Sequence, residues 1–188
     1  MRRNRDKWLA ASGVSLRHKR FGQWESLTGP TAYTAVVGKV RTFTETRNAI
    51  LALIGKRGTG KTQVASVAIL ETIANGKPAK IVTAIDLLAD LKHRYSNPED
   101  GGEREWLRQW ESYHLLVIDE IGELVSGEHS RSMLTTMIDR RYSEIKPTIL
   151  IANVTTKDFA IAVGSSIADR CNEGGGVIVC DGWQSFRQ

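Results

Sequence analysis

The octapeptide Gly55-Lys56-Arg57-Gly58-Thr59-Gly60-Lys61-Thr62 lies between an apolar run, residues 49–54, and an amphipathic stretch that starts at Lys61. It follows the pattern G-x-x-x-x-G-K-[ST], and a strand before it with a helix after it is the setting in which that pattern binds phosphate. Glycines admit left-handed backbone angles, so successive N–H groups and the helix start can turn toward one anion. Lys61 supplies a point charge for the β- and γ-phosphates, and the Thr62 hydroxyl suits magnesium. The expected ligands are ATP and Mg2+, with residues 55–62 as the nucleotide-binding loop.

A loop of this kind requires a βα unit, and the rest of the chain repeats the theme. Short apolar runs alternate with longer amphipathic stretches, the pattern of βαβ units joined into a parallel sheet. Strands are predicted at 49–54, 80–83, 115–118, 148–152 and 177–179, and helices at 61–75, 85–95, 103–112 and 130–145. Gly76 is the expected stop of the first of these helices. Trp106 and Trp110 fall one helical turn apart, a spacing that suits packing against the sheet. The predicted fold is α/β, a five-stranded parallel sheet flanked by helices. Residues 21–48 are expected to form an irregular lead-in segment docking on the core.

The third strand, Leu115-Leu116-Val117-Ile118, ends in Asp119-Glu120, at the sheet edge where α/β proteins gather their ligands. Asp119 fits the acid that holds magnesium. Glu120 fits the base that activates the attacking water. Acid pairs are common on surfaces, but one at the end of a buried strand is not explained by solvation. Asn153 closes the fourth strand at the same edge, where its amide can hold the lytic water; asparagine is also an ordinary turn former. Arg170 admits two readings, a guanidinium offered to the transition state in a neighbouring subunit or half of a local surface pair with Asp169. The residues alone do not choose between them.

Charge is unevenly placed. Arg2, Arg3, Arg5, Lys7, Arg17, Lys19 and Arg20 face only Asp6, so the first twenty residues carry +6 of a net charge of +5, and the remainder is close to neutral at −1. Residues 1–20 are therefore a basic arm, suited to an acidic partner or to phosphates, although many such arms are only solvated tails. Cys171 and Cys180 lack metal-ligand spacing, and two buried reduced thiols are expected. No apolar run approaches the ~20 residues of a membrane span, and no apolar stretch follows the basic N-terminus as in a signal peptide, so a cytoplasmic protein without membrane partners is expected.

The loop at 55–62, LLVIDEIGE at 115–123, Ile138-Asp139-Arg140-Arg141, residues 147–153 and the closing Asp181-Gly182-Trp183-Gln184-Ser185-Phe186-Arg187 together resemble the DnaC-like AAA+ helicase loaders. Residues 17–24 also resemble the segment that precedes the ATPase core in that family. The resemblance implies an AAA+ domain over 49–188 without a C-terminal lid, and a Mg-dependent ATPase whose sites are completed between subunits of a ring or helical oligomer. It implies that Glu120, Asn153 and Arg170 are catalytic, with Asn153 as sensor 1 and Arg170 as the arginine finger. Arg141 is a second candidate for a contact across subunits, and Arg187 for an approach to the nucleotide from the tail. The implied task is loading a replicative hexameric helicase onto single-stranded DNA, in a bacterial or phage-infected cell. An IstB-like helper acting with a transposase on duplex DNA has a similar core and stays open. A P-loop kinase or a non-hydrolysing switch fits the acid pair less well.

Overall fold

The computed structural model describes residues 2–46, 48–122 and 128–186. Among these, helices α1 (Arg2–Ala11), α2 (Leu16–Lys19) and α3 (Thr31–Glu45) precede the first strand, β1 (Ile50–Ile54). Next come α4 (Lys61–Ala74), β2 (Ala79–Thr83), α5 (Ala84–Ser96), α6 (Gly102–Ser112) and β3 (Leu115–Asp119). The chain continues through α7 (Glu128–Ser143), β4 (Thr148–Ala152), α8 (Thr156–Val163), α9 (Ser165–Glu173) and β5 (Val177–Val179). The strands form one parallel sheet in the order β2-β3-β4-β1-β5.

Side chains alternate across a strand, so each strand serves two cores. Leu51, Leu53, Val117, Ile149 and Ile151 face α3 and α4, whereas Ile50, Ala52, Ile54, Leu116, Ile118 and Leu150 face α5 to α9. Burial on both faces explains why β1, β3 and β4 read as unbroken apolar runs. Trp106 and Trp110 lie in the second core; the indole of Trp106 donates to Leu87 O at 3.1 Å and that of Trp110 to Asp90 Oδ2 at 3.3 Å. Gly76, at φ +76°, closes α4 by donating to Ile73 O.

The lead-in segment is not irregular, because its main part is the fifteen-residue α3. Its β-branched composition argues weakly against a helix, yet Tyr33, Val36, Val37, Val40 and Phe43 line one face and are buried. Tertiary burial outweighs propensity here. The basic arm is docked as well. Ser12 O accepts the N–H of Ile81 on the open edge of β2 at 2.8 Å, Val14 is buried, and Trp8 packs on the core. The arm thereby covers a sheet edge that would otherwise present unpaired backbone groups. Helices α8 and α9 were not anticipated, since each is too short to develop a clear period. Among the described residues no helix is long and apolar enough to cross a membrane.

Candidate functional site

Strand order builds the site. β4 lies between β1 and β3, so the loop after β1, the acids after β3 and the residue after β4 meet at one sheet edge. A cleft of about 290 Å³ there is lined by Arg57 to Gln63, Asp119, Glu120 and Asn153. Arg17 and His18 from the arm and Phe186 from the tail complete its wall.

The loop adopts the backbone its glycines permit, with φ of +128° at Gly55, +84° at Gly58 and +87° at Gly60. Gly55 is also sterically required, because a Cβ there would sit 2.6 Å from Cys180 O. Lys61 is buried, and its Nζ donates to Gly55 O and Lys56 O, each at 2.7 Å. The Thr59 hydroxyl donates to Lys56 O at 3.0 Å. These bonds curl the loop around the lysine.

Thr62 Oγ1 donates to Asp119 Oδ2 at 2.8 Å, joining residues 57 positions apart. Adjacent oxygens on octahedral Mg2+, with bonds of about 2.1 Å, lie about 3 Å apart, so these two hard oxygens already have a spacing that fits the ion. Among the described residues no group of three or more His, Cys, Asp or Glu could hold a metal by itself. Such a site would therefore rely on phosphate and water oxygens for the remaining positions. The other oxygen of Asp119, Oδ1, accepts the N–H of Glu120 at 2.8 Å. Glu120 has φ +57°, a conformation rarely taken by glutamate, and lines the cleft beside Asp119.

Arg170 stands elsewhere. It forms an ion pair with Asp139 of α7 at 3.1 Å, donates to Ser166 O and lies over the Tyr142 ring. Its partner is thus Asp139 rather than Asp169, and it is not among the residues that line the nucleotide cleft of its own chain. Arg141 is a correction. Its side chain is fully buried and donates to Thr148 Oγ1, Trp110 O, Tyr113 O and Pro147 O. Burial lowers its pKa to about 10, which leaves it charged at neutral pH. A guanidinium spent on four internal acceptors cannot reach another subunit. Arg187 and Glu123 lie outside the described residues.

Both cysteines are buried free thiols, and desolvation raises them to about 12 at Cys171 and about 11 at Cys180. His18 and Phe186 were missed as cleft residues. The signal for Phe186 was available as an aromatic tail after the last strand, but nothing local says where such a tail returns.

Fold and cleft together define a nucleotide-binding P-loop protein of the AAA+ type. The chain belongs to the IstB-like ATP-binding protein family, whose model it matches over residues 2–169. It is 31% identical over 134 residues to the replicative helicase loader DnaC of Buchnera aphidicola subsp. Baizongia pistaciae, covering 71% of this chain and 54% of that protein. Similarity to DnaC of Escherichia coli K12 is 30% over 133 residues, again 71% and 54%. The chain thus spans about half the length of these curated relatives. Among solved structures, a DnaC helicase loader superimposes with a TM-score of 0.74 at 20% identity, covering 88% of this chain and 99% of that one. AMPPCP-bound DnaA from Aquifex aeolicus gives 0.72 at 17% identity, covering 85% and 50%.

Proposed function

We propose that this chain is a Mg-dependent ATPase of the DnaC-like kind that assists the loading of a replicative helicase onto single-stranded DNA. The observation that carries the ATPase reading is the convergence of Lys61, Thr62, Asp119, Glu120 and Asn153 on one cleft. Residues 55–62 would cradle the phosphates with backbone N–H groups. Thr62 and Asp119 would hold magnesium, which when bound neutralises charge on the β- and γ-phosphates. Glu120 takes a proton from water as its oxygen attacks the γ-phosphorus, and the bridging oxygen leaves with ADP. Asn153 orients that water. Charge developing on the transferred group calls for a cation beyond Lys61, and Arg170, which does not line the cleft of its own chain, would supply it to a neighbouring subunit's site in an oligomer.

Helicase loading is supported by the DnaC relatives and by the fold they share. A second reading, a helper of a transposase on duplex DNA, is favoured by the IstB-like family match. Hydrolysis of ATP by the purified protein, measured alone and with single-stranded or duplex DNA, separates them. Stimulation by single strands is expected; stimulation by duplex alone would replace the loader with the transposition helper. An absence of hydrolysis under every condition, with a candidate helicase also present, would end the ATPase reading.

A further inference from the structure

The tail that follows β5 returns to the phosphate loop. The N–H of Phe186 donates to Gly58 O at 2.8 Å, and the indole N–H of Trp183 donates to Thr59 O at 3.2 Å. Both rings are anchored on Tyr33 of α3 in edge-to-face contacts, with centroids 5.8 Å away for Trp183 and 4.8 Å for Phe186. Tyr33 and Phe186 also close over Gly60, where a Cβ would meet them at 2.9 and 3.2 Å. The tail thus forms a strap across the loop, more than 120 positions from it in sequence.

A trans peptide unit is planar, with its C=O and the next residue's N–H pointing in opposite directions. Drawing the Gly58 carbonyl toward the tail turns the Thr59 N–H to the opposite side of the peptide plane. Drawing out the Thr59 carbonyl does the same for the Gly60 N–H. Glycine at 58 and 60 leaves this stretch free to turn over, since glycine populates positive and negative φ about equally. Within the loop, Lys61 and Thr59 hold the first carbonyls, those of Gly55 and Lys56, and the start of α4 holds that of Gly60 through the Val64 N–H. The strap adds hydrogen bonds to two carbonyls between them, those of Gly58 and Thr59.

We propose that Trp183 and Phe186 are positioning residues for nucleotide binding, which pin the Gly58 and Thr59 carbonyls outward so that the Thr59 and Gly60 N–H groups face the phosphates. The proposal rests on the reading of the cleft as the ATP site. It adds a requirement that lies outside the matched family region, residues 2–169.

The test compares Trp183→Phe, which has no ring N–H, with Trp183→His, whose Nε2–H occupies the same ring position; both lose the outer ring. Affinities for ATP and for inorganic tripolyphosphate are measured by titration calorimetry on the full chain. One hydrogen bond of ordinary strength corresponds to about a three- to tenfold change in affinity. Trp183→Phe is expected to weaken both ligands by that factor, and Trp183→His to recover most of it. Equal binding by the two variants would overturn the proposal, as would a loss for ATP that tripolyphosphate does not share. If position 183 does not tolerate change, Phe186→Pro and Phe186→Leu form the matching pair, one without and one with the backbone donor. Failure of the unaltered protein to bind ATP would instead remove the nucleotide-site reading beneath it.

Discussion

Glu120 occupies left-handed backbone space at φ +57°, which costs a side-chain-bearing residue of order 1–2 kcal/mol. Its N–H is tied to Asp119 Oδ1, and the next residue's N–H is tied to Ile151 O. The constraint places the carboxylate beside the Thr62–Asp119 pair. Glu120→Gln keeps the shape and removes the base, so it should hold ATP while hydrolysing it about 100-fold or more slowly. Lys61→Ala should lose nucleotide binding itself, and filter binding beside a turnover assay distinguishes the two losses. Arg141 belongs to stability rather than catalysis. Arg141→Lys cannot reproduce a planar fork with four acceptors and should cost about 3 kcal/mol in urea unfolding.

Two element boundaries turn on a residue held at positive φ, one occupied against propensity and one in keeping with it. Helix α7 ends in a Schellman arrangement, with Ile145 N–H to Tyr142 O and Lys146 N–H to Arg141 O, and this puts the β-branched Ile145 at φ +51°. Glycine is the usual occupant of that position. Ile145 is exposed and contributes little packing, so Ile145→Gly should stabilise the protein by about 1 kcal/mol, measured as a shift in the unfolding midpoint at constant slope. At the β2 edge of the sheet, Gly13 has φ +76°, and a Cβ there would lie 2.0 Å from Ile81 O. Gly13→Ala should release the arm from β2, costing about 2 kcal/mol and opening residues near 13 to limited proteolysis.

At the scale of the whole molecule, the basic arm, α3 and the tail all converge on the loop's surroundings. Arg17 and His18 reach the cleft, and Tyr33 and Phe186 pack together against Gly60. The far side carries Arg170 on α9, paired with Asp139 of α7. If Arg170 serves a neighbouring subunit, Arg170→Ala and Glu120→Gln should each be inactive alone. Mixed one to one, they should regain activity at about a quarter of the interfaces, where an intact Glu120 meets an intact Arg170. No recovery in a mixed assembly that demonstrably exchanges subunits would confine Arg170 to its own chain.

The phosphate loop, the acids after β3 and the parallel sheet were legible in the sequence because each depends on local order. A glycine pattern needs only its own residues, and a strand buried on both faces announces itself as an apolar run. Asn153 was legible for the same reason, as the residue following such a run. What faces the loop from a distance was not legible. A β-branched helix, a docked arm and an aromatic strap are held by burial against partners far away in sequence, and no local period encodes those partners. The same holds for the two arginines, Arg141 and Arg170. Each sits near the end of an amphipathic helix, and only the packing of α6, α7 and α9 decided that one is enclosed among carbonyls while the other remains at the surface.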